Sequence, residues 1–182
     1  TSGRMIQDPA IVIQDGVITA VGPRTSTQVP SAAEVIELPG VTLLPGLIDM
    51  HTHLDSDPTT WGAASFSVTD AYWSMVAVHH AKITLEAGFT TVRNVGASNW
   101  NDVALKQAIS AGKVPGPRVI PAGYSFGATG GHCDVTGMPP SYDAHNPYNA
   151  DSPDEGRKRV REIRKYGAEV IKICATGGVF SH

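Results

Sequence analysis

The chain alternates between short apolar segments and helix-forming segments, and this alternation constrains its fold more than any other feature. Four β-rich segments are predicted, with three helices between them that each end at a glycine. In chain order the segments are 47–53, 70–87, 89–95, 101–111, 118–122, 152–166 and 169–174. Apolar strands that alternate with helices indicate an α/β fold with a parallel sheet, either doubly wound or closed as a barrel.

The first part of the chain has a different pattern, which predicts a small β unit. Two β-rich runs surround Asp15-Gly16, a pair that favours a tight hairpin because both turn positions need a positive φ. Pro39-Gly40 marks a second turn. Further short strands are predicted at 35–38 and 41–44. The predicted domains are residues 1–44 and 45–182.

Composition and charge exclude several classes of protein. With 41% hydrophobic residues the chain can bury a core, and its net charge of -3 does not favour nucleic acid or anionic lipid as a partner. The basic run at 157–165 has acidic neighbours and is interpreted as a solvated helix face. No apolar run approaches the ~20 residues that span a bilayer.

The cysteines and the N-terminus add little about the compartment. Cys133 and Cys174 are too few for a disulfide scaffold and lack the spacing of a structural zinc site, so both are expected to be structural thiols. No signal peptide is visible after Thr1. We expect a soluble protein, either cytoplasmic or, if a leader has been removed, periplasmic or secreted.

The first candidate for chemistry is the pair His51 and His53, at the end of the first apolar strand. Side chains alternate along a strand, so both imidazoles project from the same face and could converge on one cation. Neutral imidazoles suit zinc or a similar ion. Surface or core histidines are the alternative interpretation, since this spacing alone is a weak pattern.

Lys172 is the second candidate, because lysine is seldom buried and this one lies within an apolar strand. A lysine kept from water loses its proton more readily, and the neutral amine is a nucleophile. Reaction with carbon dioxide would turn it into a carbamate with oxygen ligands for metal. A Schiff-base lysine, a buried ion pair and an edge-strand lysine are the alternatives.

Several segments of the chain resemble the amidohydrolase superfamily, in its branch of Xaa-Pro dipeptidases and imidazolonepropionases. The segment 44–53, with the sequence LPGLIDMHTH, is similar to the first barrel strand of that superfamily. Later segments resemble the same branch in the same order: AGFTTVR at 87–93, GPRV at 116–119, TGGH at 129–132, and IKI at 171–173 followed by TGG at 176–178. The resemblance covers essentially the whole chain.

The resemblance implies the N-terminal half of a (β/α)8 TIM barrel, preceded by part of a small β-sandwich. It implies metal ligation by His51 and His53 and a carbamylated, bridging Lys172. The expected cofactors are two divalent metal ions, Zn2+ foremost. The expected reaction is cleavage of an amide or peptide C–N bond by a metal-activated hydroxide, in a dipeptide, an Xaa-Pro dipeptide or an N-acyl amino acid.

Three further residues are assigned roles around these ligands. His132 is expected to contact substrate and to donate to an oxyanion or a substrate carboxylate, with a loop histidine satisfied by backbone as the alternative. Asp55 is expected to contact substrate or orient a ligand, or else to cap its loop. Asp49 shares the parity of the two histidines and is expected to lie at the barrel floor and orient the ligands, with a buried structural carboxylate as the alternative.

The family pattern also needs histidines from the fifth and sixth strands and an aspartate from the eighth, and this chain has none of them. His182 lies too close to Lys172 to be the fifth-strand ligand. We therefore expect a second chain or a C-terminal segment to supply the remaining strands, in a homo-oligomer. The alternative functions are a deaminase or cyclic-amide hydrolase of the same superfamily, and a non-catalytic half-barrel subunit.

Overall fold

A computed structural model describes residue 3, residues 5–60 and residues 62–178 of the chain. It divides into two compact units, Thr1–Leu43 and Leu44–His182. In the part of the chain that is described, no helix is long and apolar enough to cross a membrane.

The N-terminal unit contains the predicted hairpin. Strand β1 (Pro9–Gln14) pairs antiparallel with strand β2 (Val17–Pro23). Asp15 and Gly16 form the turn with φ of 51° and 76°, the positive values that the Asp-Gly pair predicts. The hairpin prediction is therefore confirmed.

The strands predicted around Pro39-Gly40 are wrong. Residues 24–46 contain no strand, although they are rich in β-branched residues. A strand is stabilised by a neighbour that satisfies its backbone groups, and the described residues provide none here. Instead, the guanidinium of Arg24 donates to both carboxylate oxygens of Glu37, at 2.9 and 2.6 Å. This pair lowers the pKa of Glu37.

The second unit is a mixed α/β structure with a parallel sheet, as the alternation predicts. Its first elements are β3 (Leu47–Thr52), α1 (Asp70–Glu86), β4 (Phe89–Asn94), α2 (Asn101–Ser110) and β5 (Arg118–Pro121). The sheet has the order β3-β4-β5, and both of its pairs are parallel. Neighbouring strands in sequence are thus neighbours in space, which is typical of right-handed βαβ units.

The helices end where the glycines predict, with small shifts at their starts. Gly88 and Gly112 follow α1 and α2 with φ of 95° and 65°, values that favour glycine. Helix α1 starts after Thr69 as its N-cap, one residue before the predicted Asp70. Trp100 precedes α2 with a left-handed φ of 60°.

The last part of the unit departs most from the predicted strands. Strand β6 (Phe126–Gly127) pairs in parallel with β7 (Ile173–Cys174), and helix α3 (Pro153–Lys165) lies between them in sequence. The predicted strand 169–174 is therefore regular only at its end. The start of this segment lies beside the end of β5, because the Glu169 amide donates to the Pro121 carbonyl at 2.8 Å.

Helix α3 carries the basic run, and the solvated-face interpretation holds. Its N-cap Ser152 accepts a hydrogen bond from the Glu155 amide at 3.2 Å. Arg157 pairs with Asp154, and Arg159 pairs with Glu162. The basic residues are thus partnered along an exposed helix.

The main core lies between the sheet and the first two helices. Its buried members are Leu54, Ala77, Ala81, Val92, Leu105 and Val119. In contrast, strand β3 forms an edge of its sheet, and Leu47, Ile48 and Met50 are 52%, 61% and 46% exposed. An edge strand with exposed apolar side chains is a surface that another strand could cover.

Candidate active site

The carboxyl ends of β3, β4 and β5 meet at one edge of the sheet. Thr52 is in register with Asn94, and Asn94 is in register with Pro121. The residues that follow these strands are therefore neighbours. In parallel α/β sheets this edge is where active sites are built.

His51 and His53 lie at this edge with adjacent rings, as their parity predicts. The ring centroids are 5.5 Å apart and the planes are inclined by 63°. The amide of His51 donates to the Asp49 carboxylate at 2.9 Å, so Asp49 holds the strand backbone next to the first histidine. Two imidazoles at this separation can approach a common ligand.

The ring of His53 is oriented by the main chain after β4. Its Nδ1 lies 3.0 Å from the carbonyl oxygen of Gly96. A carbonyl only accepts, so this contact requires the proton on Nδ1 and leaves the Nε2 lone pair free. Gly96 has a φ of 138°, and a Cβ on it would lie 3.4 Å from His53 Cε1. This distance is an ordinary van der Waals contact, so glycine is needed here for the backbone conformation rather than for space.

Lys172 lies beside His51. The two residues line one cavity of about 380 Å³, together with Arg93, Val95 and 170–173. Burial lowers the pKa of His51, and the charge of Lys172 lowers it further. A neutral His51 is the form that binds metal, so this environment favours ligation.

Asp55 lies in the wall of a second, larger cavity of about 590 Å³, next to His53. Its carboxylate accepts from the Ser98 amide at 3.2 Å and from Asn101 Nδ2 at 3.1 Å. Burial raises its pKa, against the lowering by these hydrogen bonds. Asp55 therefore both faces the cavity and ties its loop to the start of α2. The remaining wall includes Trp73, Tyr124, Val135, His145 and Asn146.

His132 lies outside the walls of both cavities. Its amide donates to the Thr176 carbonyl at 3.2 Å, and its ring packs closely against Gly178, where a Cβ would overlap it. The structure therefore brings together His51, His53, Asp55 and Lys172 but leaves His132 on the neighbouring loop. The next residue, Cys133, does line the larger cavity.

The expectation of two structural thiols is wrong. Cys133 and Cys174 form a disulfide, with their Cα atoms 5.6 Å apart, a separation that a disulfide spans. The two cysteines lie 41 residues apart in sequence, and no local spacing predicts that they pair. The bond joins the loop after β6 to the strand that follows Lys172.

The side chains gathered around His51 fit a metal site only in part. Within residues 3, 5–60 and 62–178, no three His, Cys, Asp or Glu side chains converge as a metal site would require. Two imidazoles and one lysine amine do gather at the strand ends. The two imidazoles fit part of a metal site. His182 lies outside the described residues.

Comparison with known proteins decides the family. A model of the "Amidohydrolase family" matches residues 42–182. The chain belongs to the amidohydrolase family. Ochratoxinase of Aspergillus niger is 30% identical over 206 aligned residues, which cover 98% of this amidohydrolase chain but only 40% of ochratoxinase. Imidazolonepropionase of Pseudomonas entomophila is 46% identical over 55 residues, covering 29% of this chain and 14% of that protein.

The fold of this chain is also similar to that of solved structures. A Xaa-Pro dipeptidase with methionine bound in its active site is 32% identical and superposes with a TM-score of 0.74, covering 94% of this chain and 43% of the dipeptidase. Crystalline ochratoxinase of A. niger is 25% identical with a TM-score of 0.78, covering 98% of this chain and 44% of that one. This amidohydrolase chain thus spans about two fifths of the relatives' length.

The sequence analysis did not predict a buried polar network that lies next to the histidine strand. Asn94 and Asp102 are 0% and 1% exposed, and their side chains are 3.4 Å apart. The Asp102 carboxylate accepts from the amides of Val103, Ala122 and Gly123. The available signal was the position of Asn94, a polar residue ending a buried strand beside the histidine strand.

Proposed function

We propose that this amidohydrolase chain forms part of a metal-dependent hydrolase that cleaves an amide or peptide C–N bond. One observation carries the proposal: His51 and His53 lie next to each other at the carboxyl edge of a parallel sheet, and His51 shares a cavity with Lys172. Two histidines and a lysine from distant parts of the chain have no need to meet for stability alone. Their convergence at this edge is typical of barrel catalysis.

Two divalent cations, Zn2+ foremost, are the proposed cofactors. When bound, they would polarise the substrate carbonyl and lower the pKa of a water from about 15.7 towards about 7, so that hydroxide is available at neutral pH. His53 would bind through Nε2, because its Nδ1 donates to the Gly96 carbonyl. His51 would bind as a neutral imidazole, which its lowered pKa favours.

Lys172 is proposed to act as a carbamate. The neutral amine adds through its nitrogen lone pair to carbon dioxide, an N–C bond forms, and one proton leaves to solvent. The product is an anion with two oxygens in place of a cation. Two bound cations would repel an ammonium at this position and attract the carbamate.

The substrate is proposed to occupy the larger cavity, next to His53. A cavity of about 590 Å³ is of the size that accepts small molecules and dipeptides. Dipeptides, Xaa-Pro dipeptides and N-acyl amino acids are the proposed class, supported by similarity to a Xaa-Pro dipeptidase and to a prolidase complexed with N-methylphosphonate-L-proline. Asp55 lies in the cavity wall and is proposed to contact substrate. His132 lies outside this cavity, so we propose that it contacts the substrate only if the loop that carries His132 moves.

The remaining metal ligands and strands of a (β/α)8 barrel are proposed to come from a second chain or a C-terminal segment. The exposed apolar side chains of the edge strand β3 support this, since a neighbouring strand would cover them. A homo-oligomer of the complete barrel is part of the proposal. A non-catalytic half-barrel subunit is the structural alternative.

A cyclic-amide hydrolase or deaminase is the second candidate function. The similarity to imidazolonepropionase, which covers 29% of this chain, favours it. The same proposed hydroxide would serve either reaction. Parallel assays of the complete protein with Xaa-Pro dipeptides, N-acyl amino acids and cyclic amides decide between the two candidates.

The metal content of the same preparation separates catalysis from a structural role. A hydrolase should contain about two divalent ions per complete site and lose activity with a chelator. A complete protein that binds no divalent ion tightly and hydrolyses none of these substrates would contradict the proposal.

A further inference from the structure

Asn94 is the last residue of β4, and its polar side chain is fully buried. It is hydrogen-bonded to the residues on either side of His53. Burial of an amide is unfavourable unless both its oxygen and its nitrogen are hydrogen-bonded. Here both ends are bonded, and each end holds part of the backbone that carries or orients His53. The amide therefore has a more specific set of partners than core packing requires.

The amide nitrogen contacts the carbonyl that orients the metal-ligand candidate. Asn94 Nδ2 donates to the Gly96 carbonyl oxygen at 3.1 Å. The same oxygen accepts from His53 Nδ1 at 3.0 Å. Asn94 thus fixes the acceptor that sets both the protonated nitrogen and the orientation of the imidazole.

The amide oxygen holds the chain on both sides of His53. Asn94 Oδ1 accepts from the Leu54 amide at 2.8 Å and from Thr52 Oγ1 at 3.4 Å. These are the residues immediately before and after the histidine. One side chain therefore restrains the backbone of His53 and the acceptor of its ring together.

Asp102 fixes which way the Asn94 amide points. Its Oδ2 is 3.4 Å from Asn94 Nδ2 and also accepts from the amides of Ala122 and Gly123, at 3.0 and 2.9 Å. Because Oδ2 already accepts from two backbone amides, it acts as an acceptor, and the nitrogen of the Asn94 amide must face it. The network thereby links the end of β5 to His53, which follows β3.

We propose that Asn94 is a positioning residue for metal binding, which acts on His53 through the Gly96 carbonyl. This inference rests on the proposed function, because it assigns His53 as a metal ligand. Partners behind a ligating histidine fix its tautomer and ring orientation, and their loss typically weakens metal affinity about 10- to 100-fold. Asparagine serves here because the position needs a donor towards Gly96 and an acceptor towards Leu54.

The test compares metal binding by the complete protein and by its Asn94→Asp variant. Aspartate has nearly the same shape and keeps an acceptor for the Leu54 amide, but an ionised carboxylate does not donate to Gly96. Cobalt(II) titration of the metal-free proteins gives the affinity, and the visible absorption of bound cobalt reports the ligand geometry. We expect affinity to fall about 10- to 100-fold and the absorption bands to shift.

Val119→Ala is the control for lost stability. Val119 is buried in the main core, at 2% exposure, and is not part of the polar network. The Val119→Ala substitution should lower the melting temperature, while the cobalt affinity and the cobalt spectrum stay the same as those of the parent. Equal losses of cobalt affinity in Val119→Ala and Asn94→Asp would overturn the positioning role.

The outcomes distinguish this inference from the proposed function. If the parent and Asn94→Asp bind cobalt equally and with the same spectrum, the positioning role is wrong while the metal site stands. If the parent binds no cobalt, both are wrong. If Asn94→Asp does not fold, nitrogen NMR of histidine-labelled, metal-free parent decides: His53 protonated on Nδ1 supports the inference, and protonation on Nε2 overturns it.

Discussion

His51 and Lys172 line one small cavity, and the charge of the lysine lowers the pKa of the histidine. His51 lies in β3, and Lys172 directly precedes β7. Their proximity therefore depends on the order in which the helices and strands pack. A cation beside a metal-ligand candidate opposes metal binding, unless the lysine is chemically changed.

Lys172 is expected to carry a carbamate in the metal-loaded protein, because two cations would repel its ammonium form. A crystal structure of the metal-loaded complete protein at neutral pH checks this. Lys172→Ala should lose activity, and short carboxylates such as acetate should restore part of it. An unmodified lysine in the density, or full activity of Lys172→Ala without added carboxylate, would count against the bridging role.

Asp102→Ala is expected to destabilise the protein by about 3 kcal/mol, because buried N–H donors lose their acceptor. The affected donors are the amides of Val103, Ala122 and Gly123 and the side chain of Asn94. Urea unfolding followed by circular dichroism measures the change. A loss of less than about 1 kcal/mol would mean that water replaces the carboxylate.

The contribution of Asp102 to stability should also depend on pH. Burial raises its pKa above the ordinary aspartate range, against the lowering by its hydrogen bonds. Folding therefore shifts Asp102 towards its protonated form relative to the unfolded chain. The resulting contribution to stability is complete below the unfolded-state pKa and is lost as pH rises through the raised folded-state pKa. Asp102→Asn should remove that dependence. The difference in unfolding free energy between parent and variant should grow in favour of the parent as pH falls, and the opposite trend would contradict the burial argument.

The disulfide between Cys133 and Cys174 is expected to stabilise the loop that carries His132. Replacing both cysteines by alanine should cost between about 3 and 4.7 kcal/mol, on the chain-entropy estimate for a loop of this size. Thermal unfolding with and without reductant measures this loss of stability. Reduction should destabilise the parent and leave the double variant unchanged. Two free thiols in the denatured, unreduced parent would show that the bond does not form.

The sequence predicted those parts of the fold that local patterns specify. Asp15-Gly16 predicts the hairpin because its turn conformation belongs to those two residues, and Gly88 and Gly112 end the first two helices for the same kind of reason. The segment around Pro39-Gly40 was predicted wrongly, because a strand depends on a partner that sequence pattern does not reveal.

The site was predictable in part. The parity of His51 and His53 follows from strand geometry, so their adjacency was predicted correctly. The pairing of Cys133 with Cys174 and the network of Asn94 with Asp102 join residues distant in sequence. Such contacts are created by tertiary packing, and no local spacing encodes them.

Residues 1–182 expressed alone are expected to aggregate or to bind metal weakly. Leu47, Ile48 and Met50 are exposed on the edge strand β3, and apolar edges of this kind pair with other chains. Coexpression with the strands that complete the barrel should yield soluble, metal-containing protein. Size-exclusion chromatography with light scattering checks both states, and a monomeric, cooperatively melting and active 182-residue protein would refute the half-barrel account.

The metal content of the complete protein and of its His51→Ala and His53→Ala variants tests the central claim most directly. Each substitution removes one imidazole ligand, so elemental analysis should show metal bound by the parent and a large loss in both variants, together with loss of amide hydrolysis. His79→Ala, a histidine on α1 away from both cavities, should keep the parent's metal content. Unchanged metal content in both His51→Ala and His53→Ala would contradict the account.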